Sequence, residues 1–306
     1  MSTKFNSLLT VSDYFKDENV CKEYLIAQRW NGKIKCPHCG CEKIYTTKRG
    51  YTCAEKTCAK KFSVTTGTVM ENTKLPYRLW LMTIYLATAH KKGISSLQLG
   101  RDLNIPQKTA WFLLHRVREM FAVNEPELLT GTVEIDETFV GGKNKNRHAN
   151  KKVKNSQGRS HEDKTPVVGL VQRGGNVMTF VTKDVDSVTL ETIATSNIHQ
   201  DANIITDAYR AYNGLNQLYN HTTVKHTEND YRTTSLDHTN TIEGFWSLLK
   251  RGIFGIYHQV SPKHLHRYCN EFGYRYNTKV AKDVARFEDA VTKIGNARLR
   301  YVDLVA

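Results

Sequence analysis

Long apolar runs are missing from this 306-residue sequence. The longest apolar stretch, LWLMTIYLATA at 79–89, has eleven residues, whereas a helix needs roughly 20 to cross a bilayer. The opening MSTKFNSLLT is polar and lacks the apolar segment that directs export. Acids are in short supply too: 30 Asp and Glu face 44 Lys and Arg, a formal net charge of +14. No membrane protein is expected from these absences, and a polyanionic partner is, nucleic acid being the commonest for a basic chain. Cysteine is odd in number, seven in all. Without an export signal, that favours reduced, metal-binding thiols over a disulfide scaffold.

Four of those cysteines fall into two close pairs. Cys36 and Cys39 form C-x2-C; Cys53 and Cys58 form C-x4-C. Four thiolates so spaced suit tetrahedral Zn2+, and the β-rich YTTKRGYTC between them suits a ribbon. With all four positions filled by protein, that zinc is structural. Cys41 crowds Cys39 and reads as a bystander; Cys21 and Cys269 read as core residues. Lys43, Lys48, Arg49, Lys60 and Lys61 stud the knuckles and suit either DNA phosphates or plain solvation.

Helical patterns flank the ribbon. Residues 11–30 read as one helix with Ser12 as its cap. Residues 76–90, 95–103 and 107–121 read as three more, the last two separated by NIP. The segment ISSLQLGRDLNIPQKTAWFLLHRVREM resembles a helix-turn-helix. Its second helix would offer Gln107, Lys108 and Thr109 to base edges, with Leu97, Leu103, Ala110, Phe112 and Leu113 packed behind. Two packed helices without DNA contact give the same apolar pattern.

From about residue 130 the period becomes alternating. In TVEIDETFV, Val133 and Ile135 point one way and Glu134, Asp136 and Thr138 the other. A polar stretch at 141–164 follows, with eight Lys or Arg against two acids. It reads as a basic loop, and Lys143, Lys145, Arg147, Lys151 and Lys152 are its candidate DNA contacts. Next come two strands joined at Gly174-Gly175, a helix over 187–199, and the strand ANIITD. Strand, strand, strand, helix, strand, then helices is the order of an RNase H-like domain. The expected fold class is therefore α/β: an RNase H-like mixed sheet flanked by helices, preceded by a zinc ribbon and a helix-turn-helix. The expected division is an N-terminal helix at 1–30, the ribbon at 31–72, a helical DNA-binding segment at 73–125, the RNase H-like domain at 126–285 and a tail at 286–306.

HTNTIEGFWSLLK, residues 238–250, reads as an amphipathic helix. Ile242, Trp246 and Leu249 make its apolar stripe; Glu243, Ser247 and Lys250 share a neighbouring one. In an RNase H-like order the first and fourth strands are neighbours, which brings Asp136 and Asp207 together. Paired carboxylates repel unless a cation sits between them, and Mg2+, a hard oxygen-seeking ion, answers that repulsion. Glu243 would complete the ligands and Lys250 would meet a phosphate. Plainer roles exist for each acid. Asp207 suits a helix cap. Asn240-x-x-Glu243 suits a capping box. Glu134, on the same face as Asp136, is an alternative ligand.

These strings resemble a known family. CPHCG with the second knuckle, VEIDETFVGGK, KNRHANKK, TPVVGLVQRGG, ITDAYRAY and HTNTIEGFWSLLKRGIFGIYHQVSPKHLHRY are similar to DDE transposases of bacterial insertion sequences. The group meant is the one with an N-terminal zinc ribbon. The resemblance implies metal-dependent cleavage of double-stranded DNA at inverted-repeat ends and strand transfer into target DNA. It implies catalytic Mg2+ or Mn2+ on Asp136, Asp207 and Glu243, with Lys250 as the trailing basic residue. Asn240 would stand beside the ligands, and Arg251 would add a DNA contact. A homo-oligomer on DNA, in the bacterial cytoplasm at the nucleoid, follows as a further expectation. A zinc-bearing DNA-binding regulator that cuts nothing is the reading from another class.

Overall fold

The computed structural model describes residues 6–48, 50–122, 127–142, 148–153, 164–224, 238–295 and 298–306, with Lys151 described in its backbone only. Lys143, Lys145, Arg147 and Arg49 therefore lie outside the described residues. The chain forms two compact units, Met1–Ala122 with Thr278–Ala306, and Val123–Asn277.

In the first unit, helices α1 (Leu8–Tyr14) and α2 (Glu18–Trp30) replace the single helix expected over 11–30. Each has its own cap. Ser7 accepts from Thr10 N, and Asp17 accepts from Asn19 N at 2.6 Å. Two such stops close together outcompete one continuous helix. Ser12 is not a cap; its hydroxyl accepts from Arg78 Nη2 at 2.9 Å. The ribbon is an antiparallel sheet in the order β1 (Ile44–Thr47), β2 (Gly50–Cys53), β3 (Lys61–Phe62). Helix α3 (Tyr77–Ala89) is buried from Trp80 to Thr88. Helices α4 (Ser96–Leu103) and α5 (Gln107–Glu119) meet at Asn104, which takes the left-handed conformation at φ 52°. Ser95 caps α4 through Gln98 N. Leu99, rather than Leu97, is the buried leucine of α4: Leu97 is 52% exposed.

The second unit holds β4 (Thr132–Val140), β5 (Thr165–Gln172), β6 (Val177–Val181), α6 (Ser187–Asn197), β7 (Asn203–Asp207), β8 (Asn220–Val224), α7 (Asn240–Gly252) and α8 (Leu265–Asn277). Its sheet runs β6-β5-β4-β7-β8. β4 pairs antiparallel with β5 and parallel with β7, so the first strand is central and the fourth lies beside it. This is the RNase H-like order; β8, which the sequence reading left out, extends it in parallel.

Each face of the sheet is covered. Val133 and Ile135 join Leu190, Ala194, Tyr212 and Leu215 on one side, beneath α6 and the 3-10 segment Arg210–Gln217. Val140, Val167 and Val171 join Ile242, Phe245, Trp246, Leu249 and Phe272 on the other, beneath α7 and α8. At Gly252 a Cβ would stand 2.0 Å from the Phe272 ring, so glycine lets α8 close on α7. The helix runs on into a π-turn at Ile253–Tyr257. Tyr268, Phe272 and Tyr274 of α8 are core.

Helices α9 (Asp283–Thr292) and α10 (Tyr301–Val305) return to the first unit. Buried Arg286 donates to Thr88 O at 3.0 Å at the end of α3, and Val69 N donates to Ile294 O at 2.9 Å. The second unit thus ends at Asn277 rather than at 285, and the described residues of 286–306 belong to the first unit rather than to a tail. Of these, the apolar residues Phe287, Ala290, Val291 and Ile294 are all buried.

Candidate active site

A group of four cysteines and a set of three acids stand in different parts of the chain. In the ribbon, the ligand atoms of Cys36, Cys39, Cys53 and Cys58 all lie within 4.8 Å of one another. Cys36 and Cys58 are 3.8 Å apart, Cys39 and Cys53 3.5 Å. Tetrahedral thiolates at a Zn–S length of about 2.3 Å stand about 3.8 Å apart, so the four sulfurs fit Zn2+. Burial opposes the Cys36 thiolate, but N–H groups of His38 and Cys39 aimed at it outweigh that and bring it down to about 7. Cys41 points to Lys43 O at 3.5 Å, outside the group.

The acids are set by β4, β7 and α7. The β4–β7 register pairs Glu134 with Ile205, and the same offset of 71 (207 − 136) brings Asp136 level with Asp207. Residues level in a parallel pair share a face, and this one is the α7 face. Asp136 accepts from Trp246 Nε1 at 2.9 Å. Burial pushes its carboxyl up to about 7, helped by the charges of Glu137 and Asp207; N–H donors of Glu137 and Trp246 oppose the rise. A carboxyl so placed favours a proton or a cation as neighbour.

Trp246 reaches Asp136 because the residue opposite Asp136 on β5 is Gly169. A Cβ there would stand 2.6 Å from the indole ring. Asp207 Oδ1 accepts from Tyr209 N at 2.9 Å, a local turn rather than a helix cap. Behind the sheet, buried Tyr212 donates to Glu137 Oε2 at 2.7 Å, so a second acid underlies Asp136 from the opposite face. That pair, and the Trp246 bond, went unread in the sequence: Trp246 was visible only as one step of an apolar stripe.

Glu134 is fully buried and not placed to be a metal ligand. Oε1 accepts from Arg173 Nε at 2.7 Å and Thr241 Oγ1 at 2.8 Å; Oε2 accepts from Ile242 N at 2.9 Å. Arg173 Nη2 also donates to His238 O at 2.6 Å.

Glu243 is exposed, and its Oε1 accepts from the hydroxyl of Thr239, the N-cap of α7, at 3.1 Å. Its capping partner is therefore Thr239, not Asn240, which is exposed at the first helical position. Among the described residues the four cysteines are the one group of three or more ligating side chains within 4.8 Å, so Asp136, Asp207 and Glu243 are not drawn together to that distance. Lys250 and Arg251 are exposed on the last turn of α7, where Arg251 Nη2 donates to Ser247 Oγ at 2.6 Å.

Of the remaining DNA candidates, Lys152 is exposed. Gln107 is exposed with its amide on Ser96 Oγ at 2.9 Å, Lys108 lies 5.1 Å over the Tyr301 ring, and Thr109 is half-buried. Among the described residues no helix is long and apolar enough to cross a membrane.

Comparison with known proteins bears on both groups. A transposase zinc-ribbon domain matches residues 16–61, and an ISXO2-like transposase domain matches residues 128–277. A protein of Halobacterium salinarum described as an uncharacterized protein in transposable element ISH50 is 28% identical over 266 residues, covering 82% of this chain and 88% of its own. The crystal structure of a pre-cleavage Mos1 transpososome aligns over 66% of this chain and 74% of its own at 10% identity; its TM-score of 0.19 is too low to speak to the fold. The ribbon match spans all four cysteines, and the domain match ends where the second compact unit does. The chain belongs to the insertion-sequence transposases that join an N-terminal zinc ribbon to an RNase H-like domain of the DDE type.

Proposed function

We propose that this transposase cleaves DNA strands at inverted-repeat element ends and transfers the freed 3′-hydroxyl into target DNA. One observation carries the reading: the β4–β7 register ends at Glu134 opposite Ile205, two residues short of Asp136 and Asp207, and the charge of Asp207 is near enough to raise the Asp136 carboxyl. Asp136, Asp207 and Glu243 would hold Mg2+ or Mn2+, and hard carboxylate oxygens suit either ion. When bound, such ions activate a water or a 3′-hydroxyl and stabilise the leaving oxygen of a phosphodiester.

The side chains do the rest. Trp246 Nε1 holds Asp136 Oδ2 and so fixes the carboxylate on the α7 face. Glu243, exposed and about one helical turn before Trp246, would give up its Thr239 hydrogen bond to serve as a ligand. Lys250, two turns on, takes a phosphate oxygen, with Arg251 beside it. Asn240 stands next to the ligands without being one. Zn2+ on Cys36, Cys39, Cys53 and Cys58 holds the ribbon. Gln107, Lys108 and Thr109 of α5, with Lys143, Lys145, Arg147, Lys151, Lys152 and the lysines of the knuckles, contact double-stranded DNA, so binding falls steeply with salt. The active species is a homo-oligomer assembled on DNA, working in the cytoplasm at the nucleoid.

The test is cleavage of a duplex oligonucleotide carrying the element end, with Mg2+ or Mn2+. The parent should cut and join; Asp136→Ala should lose more than the roughly 10–100-fold typical of an outer-shell partner. Equal cutting by Asp136→Ala refutes the assignment. The hydrogen bond from Thr239 to Glu243 favours a second reading, a DNA binder that cuts nothing. Metal-independent end binding without cleavage by the parent would decide for it.

A further inference from the structure

We propose that Glu134 is a positioning residue, a buried acid that clamps the first turn of α7 onto β4 and so sets where Glu243 stands relative to Asp136 and Asp207. The proposal rests on the metal-site reading above.

Glu134 is 0% exposed, and a carboxylate taken so far from water is tolerated only where donors surround it. Donors come from two directions. Arg173, just past the end of β5, supplies Nε at 2.7 Å, and α7 supplies Thr241 Oγ1 at 2.8 Å and Ile242 N at 2.9 Å. His238 Nδ1, just ahead of α7, lies 3.4 Å from the same carboxylate. Both oxygens are therefore committed to protein donors, and a negative charge at this end of a helix also meets its dipole favourably.

The residue that Glu134 holds by its backbone, Ile242, immediately precedes Glu243. One turn later Trp246 bonds Asp136. Two residues along a strand span about 6.8 Å, and four along a helix about 6 Å. Alternate acids of β4 thus meet successive turns of α7, which fixes both the rotation and the slide of the helix on the strand. Apolar packing alone would hold α7 down, and the stripe of Ile242, Phe245, Trp246 and Leu249 does so. Directional bonds add register, which is what a third ligand on this helix requires.

The experiment uses the full chain and the element-end duplex. Glu134→Gln keeps the shape but turns an amide toward the donors of α7. Expected are a Mg2+ concentration for half-maximal cleavage raised by roughly 10–100-fold, as for outer-shell partners of a metal site, partial rescue by Mn2+, and unchanged end binding in Ca2+. Mn2+ binding followed by electron paramagnetic resonance should weaken in parallel. A second variant, Glu134→Met with Arg173→Met, removes both charges together so that folding is retained; its metal response should stay weakened. The parent's metal response in either folded variant overturns the clamp. A parent that neither binds Mn2+ nor cleaves overturns the clamp and the metal-site reading together. A parent that cleaves through Asp136, beside Glu134 variants that match it, overturns the clamp alone.

Discussion

The sulfur group of the ribbon and the acid group of the sheet are built on opposite plans. The four sulfurs come from two short knuckles only 22 residues apart end to end (58 − 36), and they already converge. The acids come from two strands and a helix spread over 107 positions (243 − 136), and each is engaged by a protein donor: Trp246, Tyr209 and Thr239. Ligand chemistry explains the contrast. Protonated thiols are small, weakly polar and pack together at little cost. Carboxylates repel one another and must be held by donors or cations. The sulfur site is set by local chain geometry, and the acid site by the register of the sheet and the docking of one helix.

The largest expected effect breaks the sulfur side. Cys53→Ser, or a strong chelator, should release zinc, whose apparent binding free energy in such sites is about 10–16 kcal/mol. The β1–β2–β3 ribbon should unfold while the transition of residues 128–277 persists. Zinc content read beside thermal unfolding checks this; loss of both transitions would show that the two plans are not independent. Smaller is Tyr212→Phe, which removes the hydroxyl on Glu137 from behind the acid site. A cost of about 1–3 kcal/mol in denaturant unfolding is expected, and an unchanged midpoint would show that the pair contributes nothing.

The smallest effect sharpens the acid side. Burial, with Glu137 and Asp207 nearby, lifts Asp136 from 3.8 to about 7, so the folded chain holds that proton more tightly than the unfolded chain. The parent therefore loses stability as pH rises from about 4 to about 7, and the loss is complete above that range. Asp136→Asn escapes it. In chelator-containing buffer the variant should melt a few degrees above the parent at pH 8 and together with it at pH 4. An equal gap at both pH values would remove the electrostatic account.

Much of this was readable from the residues. Cysteine spacing located the sulfur group because its geometry is local. The alternation of TVEIDETFV separated Glu134, Asp136 and Thr138 from Val133 and Ile135, and the sheet keeps that division. What pairs across distance was not readable. Which of Glu134 and Asp136 meets the first turn of α7 is not encoded in the β4 sequence; the structure gives that place to Glu134. Nothing in the β4 sequence marks Glu137 as the partner of Tyr212, 75 positions later. β8, NHTTV, has an exposed or half-exposed pattern and so no buried stripe to betray it.

The return of α9 to α3 has a consequence for biosynthesis. Arg286 meets Thr88 across 198 positions, with the whole of the second unit made in between. At a translation rate of about 5–20 residues per second, α3 waits for its neighbour for roughly 10–40 seconds with a largely apolar surface uncovered. Residues 123–277, by contrast, close their sheet without help from either end of the polypeptide. The zinc-bearing unit is thus begun first and finished last, and it is the part of the nascent protein with most to gain from a chaperone.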